Sequence, residues 1–145
     1  MAGEKTLDLR IALIKKLTSA GFEIPTLVHG SVEIGRNVII GTGVQLHPGV
    51  ILRVNSKIGD FTTVNTGAIV EHGTSIGLNC SISPGVVICG NVEIENSVFI
   101  GANSTILPNL CVGESVVLGA GSVATKNLEY RKRYKGVPAV EILQD

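Results

Sequence analysis

The feature that most constrains this chain is a period of six residues. Every sixth residue from Val28 to Leu118 is Ile, Leu or Val. The sixteen positions are Val28, Ile34, Ile40, Leu46, Leu52, Ile58, Val64, Val70, Ile76, Ile82, Ile88, Ile94, Ile100, Ile106, Val112 and Leu118. A helix repeats its faces every 3.6 residues and a strand every two, so neither accounts for this spacing. A short strand followed by a turn, repeated many times, does account for it.

A second regular position follows each aliphatic residue by four. Its members are Val32, Val38, Val44, Val50, Ser56, Thr62, Ala68, Thr74, Cys80, Val86, Val92, Val98, Ser104, Leu110, Val116 and Ser122, and all but Leu110 are small. Three six-residue units make a triangular coil of eighteen residues, with the large aliphatic residues on the walls and the small ones near the corners. The pattern therefore predicts an all-β fold, a parallel β-helix of about five coils spaced roughly 4.8 Å apart.

Glycine often occupies the position directly after the aliphatic residue. It does so at Gly35, Gly41, Gly59, Gly77, Gly101, Gly113 and Gly119, and the chain has eighteen glycines in all. We expect these residues to lie at corners that need a positive φ, which glycine adopts without steric cost.

Both ends of the chain depart from the repeat. Leu7, Ile11, Ile14 and Leu17 have helical spacing, and Gly21 followed by Pro25 is a typical helix end. We predict three parts: an N-terminal helix and connector (1–25) that cap the open end of the prism, a β-helix domain (26–126), and a C-terminal tail (127–145) that turns and folds back.

Charge and cysteine content exclude several classes of protein. Twelve basic and twelve acidic residues cancel, which gives no global field for nucleic acid or an anionic membrane surface. Charged residues in the first sixteen positions leave no apolar run for a signal peptide or membrane span, so we expect a cytoplasmic protein. The cysteines, at positions 80, 89 and 111, show no C-x-x-C spacing, so neither a disulfide framework nor a zinc site is predicted.

Residues eighteen apart are predicted to stack into columns along the prism. One column is His72, Gly90, Pro108 and Lys126, and another is His29, His47, Asn65, Ser83, Gly101 and Gly119. A third, pointing outward, is Ile51, Ile69, Val87, Thr105 and Val123. An exposed apolar stripe marks an interface, and a threefold ring is the simplest closed arrangement for it. His72 would then lie beside the junction between subunits.

The chain also resembles a known family. The stretch NTGAIVEHGTSIGLNCSISPGVVICGN, with the later LGAGSVATKN and GVPA, is similar to the sugar acetyltransferases that include sialic acid O-acetyltransferases and bacterial UDP-4-amino-sugar N-acetyltransferases. The similarity extends from about Leu9 to Ala139. It implies a left-handed β-helix, a homotrimer with acetyl-CoA bound between neighbouring prisms, and an amine or hydroxyl of a sugar, free or nucleotide-linked, as the acceptor.

The resemblance also implies roles for individual residues. His72 matches the general base, and Asn65 and Glu71 match the acceptor side. Gly90 matches a glycine whose backbone amide faces the thioester, and the other cofactor positions are Ala102, Ala120, Lys126, Val137 and Pro138. Direct attack on a thioester needs a base for the nucleophile's proton and a donor for the oxyanion, and neither a covalent enzyme intermediate nor a metal is expected.

The chain departs from the family pattern at several positions. Relatives carry an acidic residue directly after the base, where this chain has Gly73. Glu71 precedes the base, but neighbours on an extended chain point in opposite directions, so we expect it to face away from the imidazole. Ser81 replaces a second family histidine, and Val140 replaces a basic residue. Of the relatives' N-terminal nucleotide-sugar-binding domain, only the last helix is recognisable.

Two other functions stay open at this point. The first is a non-catalytic scaffold or regulatory subunit built on the same β-helix. The second is a metalloenzyme like the γ-class carbonic anhydrases, with His29 and His47 stacked as two of its ligands.

Overall fold

The structure, a computed structural model, describes residues 2–142 as one helix followed by a series of very short strands. Helix α1 is Ala2–Ser19. The strands are β1 Leu27–Val28, β2 Glu33–Ile34, β3 Ile39–Ile40, β4 Gln45–Leu46, β5 Ile51–Leu52, β6 Lys57–Ile58, β7 Thr63–Val64, β8 Ile69–Val70, β9 Ser75–Ile76, β10 Ser81–Ile82, β11 Val87–Ile88, β12 Glu93–Ile94, β13 Phe99–Ile100, β14 Thr105–Ile106, β15 Cys111–Val112, β16 Val117–Leu118, β17 Val123–Ala124, β18 Arg133–Lys135 and β19 Val140–Glu141.

The strands form three walls of a prism. Wall A contains β1, β4, β7, β10, β13, β16, β18 and β19; wall B contains β2, β5, β8, β11, β14 and β17; wall C contains β3, β6, β9, β12 and β15. Ser81 pairs in parallel with Thr63 on one side and with Phe99 on the other, a step of eighteen residues each way. The predicted lap of eighteen residues is confirmed from β1 to β17, and β17 and β18 extend the winding to about six turns. The last lap is sixteen residues, since Val117 pairs with Arg133.

The interior is filled by the two predicted positions. Each aliphatic residue of the period is the second residue of a strand, and from Leu46 onward all of them are buried. The small position is buried as well from Val44 to Val98, including the polar residues Ser56, Thr62 and Thr74. Full burial of a Val, Leu or Ile side chain stabilises a fold by roughly 1.5–3 kcal/mol, so the column of core residues supplies most of the driving force for winding.

The corners are made by residues of positive φ, but not by the glycines that we expected. A positive φ recurs at every sixth residue from 37 to 121: Asn37, Gly43, Gly49, Asn55, Phe61, Gly67, Gly73, Asn79, Gly85, Asn91, Ser97, Asn103, Asn109, Ser115 and Gly121. Asparagine and glycine dominate because they tolerate the left-handed region best. The prediction failed because the left-handed residue lies three positions after the aliphatic one, not directly after it.

The glycines directly after the aliphatic residues serve close packing between laps. A Cβ at Gly35 would lie 2.8 Å from the Val54 nitrogen, and one at Gly101 would collide with the Ala120 nitrogen. These positions need glycine because the backbone of the next lap occupies the space.

Helix α1 does not cap the open end of the prism, which corrects our expectation. Arg10 donates to Asn79 Oδ1 (2.9 Å), Thr63 Oγ1 (3.0 Å) and the Cys80 carbonyl (3.0 Å), which holds the helix against wall A and the corner between walls C and A. At the N-terminal end, Val28 and Ile34 remain 46% and 49% exposed. The helix is positioned by hydrogen bonds to the flank and not by the apolar end.

The chain continues the winding after β17 and then turns back on itself. Strand β18 adds to wall A beside β16, and β19 pairs antiparallel with β18. Tyr134 and Ala139 are buried there. Lys132 forms ion pairs with Glu129 (2.6 Å) and Glu141 (2.9 Å), and these partners raise the pKa of its ammonium group.

Candidate active site

His72 lies on the edge where wall B turns into wall C, which we call the BC edge. The Asn91 N–H donates to the His72 carbonyl (2.9 Å), and the Asn109 N–H donates to the Gly90 carbonyl (3.1 Å). These bonds between laps confirm that His72 and Gly90 stack. Hydrogen bonds of the same kind join the preceding laps and end on the Val54 and Arg36 carbonyls. The column therefore begins two laps before His72. The eighteen-residue spacing also predicts this extension, so Val54 and Arg36 could have been found from the sequence.

The imidazole of His72 lies directly against Gly90. A Cβ placed on Gly90 would be 2.5 Å from His72 Cε1 and 2.6 Å from Nε2. Gly90 is buried, whereas the His72 side chain is 58% exposed. The ring therefore rests with its Nε2 side on the next lap and its remaining surface open to a ligand.

Glu71 approaches His72, contrary to our expectation that it would face away. Glu71 Oε2 lies 3.4 Å from His72 Nδ1 and 3.4 Å from the His72 backbone nitrogen. Neighbouring side chains point in opposite directions only within a strand. Strand β8 ends at Val70 and His72 is in the turn, so the rule does not apply to this pair. The contact favours a proton on Nδ1, which leaves Nε2, the nitrogen beside Gly90, as the acceptor.

Gly73 has a structural reason to replace the acidic residue of the family pattern. Its φ is +67°, and a Cβ there would run into the side-chain oxygen of Asn91. Asn91 belongs to a column with Asn37, Asn55 and Asn109, which Gly73 interrupts. A larger residue at position 73 would have to displace Asn91.

Cys89, next to Gly90, and Cys80, in the core at the corner between walls C and A, are both poor nucleophiles. Burial, reinforced by the nearby charge of Glu71, raises the pKa of the Cys89 thiol. Burial also raises the pKa of Cys80 to about 11. Because the thiolate is the reactive form, neither side chain favours a covalent step.

The remaining predicted site residues lie on a different edge. Asn65, Ala102 and Ala120 are on the turns that follow wall A, which we call the AB edge, and Val137 and Pro138 close its C-terminal end. Asn65 Nδ2 donates to the Ile82 carbonyl (2.9 Å), so this amide is tied to the next lap. Of the site residues predicted from the sequence, Gly90, Glu71 and Lys126 share the BC edge with His72. Wall B, with the half-buried column of Ile51, Ile69, Val87, Thr105 and Val123, separates the two edges.

The stacked histidines have no third ligand beside them in the described part of the chain. His29 and His47 line a concavity of about 360 Å³ near the open end, and His29 Nδ1 lies 2.9 Å from Ser31 Oγ. Across residues 2–142 no group of three His, Cys, Asp or Glu side chains is placed to hold a metal ion. The described part of the chain also contains no helix with the length and hydropathy needed to span a bilayer.

The triangular coil and its histidine edge define a left-handed β-helix of the kind found in hexapeptide-repeat sugar acetyltransferases. The chain belongs to the family described as the GMPPB C-terminal domain, whose model matches residues 18–120. No curated protein is similar enough to count as a match.

Several solved structures share the fold. A histidine-to-asparagine mutant of perosamine N-acetyltransferase from Caulobacter crescentus, in complex with CoA and GDP-perosamine, is 29% identical with a TM-score of 0.92, over 95% of this chain and 66% of its own. The acetyltransferase domain of PglB from Neisseria gonorrhoeae is 27% identical with a TM-score of 0.91, over 94% and 66%. WeeI from Acinetobacter baumannii is 28% identical with a TM-score of 0.92, over 98% and 68%. The chain thus spans 66% of the length of the first two neighbours.

Proposed function

We propose that the chain is an acetyl-CoA-dependent acetyltransferase that acts on an amine or hydroxyl of a sugar. The observation that carries the proposal is the open imidazole of His72 resting on Gly90. It occurs in a fold shared with perosamine N-acetyltransferase bound to CoA and GDP-perosamine, and with the PglB acetyltransferase domain bound to acetyl-CoA. An amine is the favoured acceptor because perosamine N-acetyltransferase acts on nitrogen.

His72 Nε2 is the general base of the proposed reaction. The acceptor nitrogen attacks the thioester carbonyl carbon, forming the C–N bond while its proton passes to Nε2. The oxyanion that develops needs a preorganised donor, a role we assign to the backbone amide of Gly90. Collapse of the tetrahedral species breaks the C–S bond, and the imidazolium returns its proton to the departing CoA thiolate. Glu71 keeps Nδ1 protonated throughout and so holds the ring in the reactive tautomer.

We place the complete site between two copies of the chain in a homotrimer. The apolar column on wall B separates the BC edge, with His72, from the AB edge, with Asn65, Ala102 and Ala120. If wall B packs against a neighbour in a heterologous ring, the BC edge of one protomer meets the AB edge of the next. Acetyl-CoA then contacts Gly90 and Lys126 of one chain and Ala102, Ala120, Val137 and Pro138 of the other, with Lys126 roughly 14 Å from His72 at 4.8 Å per lap.

The domain roles follow the predicted boundaries. Residues 26–126 carry the transferase site, 127–145 complete the cofactor side, and 1–25 are the helix and connector that lead into the β-helix. The three cysteines are unpaired, which supports the cytoplasm as the compartment.

Release of CoA thiol from acetyl-CoA in the presence of nucleotide-linked amino sugars tests the proposal. We expect His72→Ala to lower kcat by roughly 10²–10⁴-fold with unchanged CoA affinity, because the variant removes the base and leaves the binding surfaces. His29→Ala, at the exposed first lap, is the matched control and should retain full activity. Full turnover by His72→Ala contradicts the assignment of the base. Wild-type protein that neither binds CoA nor transfers acetyl supports the scaffold alternative.

A further inference from the structure

We propose that the BC edge carries an anion subsite, formed by Arg36 and Arg53, that binds the phosphate groups of a phosphate-linked sugar acceptor. This inference rests on the proposed function and names its substrate class. The two guanidinium groups lie on the N-terminal side of His72, opposite to the side assigned to acetyl-CoA.

The subsite is a cavity on the same edge as the histidine. A concavity of about 550 Å³ is lined by Glu33, Arg36, Asn37, Arg53, Val54 and Asn55, together with the adjoining strand residues. The Asn55 N–H donates to the Arg36 carbonyl (3.0 Å), and the Gly73 N–H donates to the Val54 carbonyl (3.1 Å). Arg36 therefore lies two laps below His72, roughly 10 Å away at 4.8 Å per lap, and Arg53 lies one lap below Glu71.

The charges of the cavity favour an anion. Arg36 and Arg53 are both exposed, and within residues 2–142 neither guanidinium has a carboxylate or hydrogen-bonding partner. Glu33 is the one acidic residue among those lining the cavity, so two positive charges face one negative charge. The amides of Asn37 and Asn55, joined at 3.2 Å, add neutral hydrogen-bonding groups. A planar guanidinium group can donate two hydrogen bonds to the oxygens of one phosphate, so phosphate is the anion that fits this cavity best.

The position of the cavity identifies the acceptor as the source of the phosphate. Acetyl-CoA is assigned to the laps from Gly90 to Lys126, above the imidazole. A sugar whose amine reaches His72 Nε2 from the N-terminal side would place its ring over Val54. This residue is 41% exposed and presents an apolar surface. The phosphate on the anomeric carbon would then extend to the guanidinium groups. A nucleoside diphosphate sugar has this arrangement, whereas a free sugar has no group for the cationic pair.

Binding of phosphate compounds tests the subsite without relying on turnover. Inorganic pyrophosphate, GDP, UDP and guanosine are titrated calorimetrically into wild type, Arg36→Ala, Arg53→Ala and the double variant. We expect the three phosphate compounds to bind and guanosine not to, with affinity falling about tenfold for each arginine removed, because hydrogen bonds to charged groups are lost. Lys57→Ala, which removes an exposed cation on wall C from the same lap as Arg53, is the matched control and should bind like wild type.

Competition and kinetics separate the possible outcomes. Unchanged pyrophosphate affinity in the double variant overturns the subsite, and so does pyrophosphate displacement by CoA, because the arginines would then serve the cofactor. With a transferable sugar, the double variant should raise the acceptor KM about tenfold or more while the acetyl-CoA KM stays constant. An unchanged acceptor KM refutes this inference and leaves the proposed function intact. Pyrophosphate binding without any acetyl transfer refutes the proposed function and retains the anion site.

Discussion

Because Gly90 has no side chain, the imidazole of His72 can lie against its backbone on the next lap. The glycine has no positive φ, so an alanine there is compatible with the backbone, but its Cβ would lie 2.5 Å from the ring. We expect Gly90→Ala to fold normally and to lose on the order of 10²-fold in kcat, because a displacement of about 1 Å at the reacting centre has that effect.

Steady-state kinetics and thermal unfolding check the Gly90→Ala expectation together. Gly30→Ala is the control, since a Cβ there meets no atom within 4 Å and its φ is not positive. A Gly90→Ala variant with wild-type kcat would show that the observed ring position is irrelevant to catalysis.

The position of a residue could be predicted from the sequence where the lap length determines it, and not where the local path of a turn does. Stacking arithmetic put His72 and Gly90 together because both are fixed by the eighteen-residue lap. The approach of Glu71 to Nδ1 could not be foreseen, because it depends on the local path of a turn and not on strand alternation. The glycines directly after the aliphatic residues were misjudged for a similar reason. Close backbone packing and a positive φ both favour glycine, so the sequence does not show which of the two a glycine serves.

At the level of elements, helix α1 shows how a polar anchor decides where an amphipathic helix docks. Leu7 is buried against the flank, and Asn79 Nδ2 donates to its carbonyl (3.2 Å). Arg10 completes the attachment, and burial lowers the pKa of its guanidinium. The helical spacing predicted the inward stripe correctly. It could not reveal the docking place, because the partners of Arg10 lie 53 to 70 residues away in sequence.

Replacing Arg10 by methionine should weaken this attachment. The substitution leaves Asn79, Thr63 and the Cys80 carbonyl without their charged donor, so we expect a loss of about 2 kcal/mol in the free energy of unfolding. Urea denaturation followed by far-ultraviolet circular dichroism measures it, with the exposed Lys15→Met as the control on the same helix. Equal stability of the two variants would mean that the helix is held by apolar contacts alone.

For the whole molecule, the apolar column on wall B predicts the assembly. Ile69 is half-buried in the isolated chain, and Ile69→Glu would place a carboxylate in the centre of the proposed interface. Burial of an unpaired charge is strongly unfavourable, so we expect the variant to be monomeric where the wild type is trimeric. Because the proposed site is shared by two protomers, we expect acetyl transfer to be lost as well.

Light scattering coupled to size-exclusion chromatography gives the masses directly. Lys57→Glu, an equivalent acidic change on wall C, should remain trimeric and active. A wild-type protein with the mass of a monomer would contradict the assembly, whatever the behaviour of the variants.

The architecture was the most predictable level, because sixteen repeats of one pattern leave little choice of fold. Lap length, wall assignment and core followed from the period, and handedness came from the family resemblance that the structural neighbours support. The exposed first lap was not predicted, since nothing in Val28 or Ile34 distinguishes an end residue from a central one.

The eighteen-residue lap has a consequence for how such a chain can change. An insertion or deletion of eighteen residues keeps every side chain on its own edge, while one of six or twelve moves all later residues onto a different wall. The last lap has two residues fewer, since Val117 pairs with Arg133, and the corner after β17 absorbs the difference. Removing one lap between Arg36 and His72 would shorten their separation by a single strand spacing, roughly 4.8 Å, and leave the contact between His72 and Gly90 untouched. The distance from the proposed phosphate-binding arginines to His72 Nε2 can therefore change only in steps of one lap.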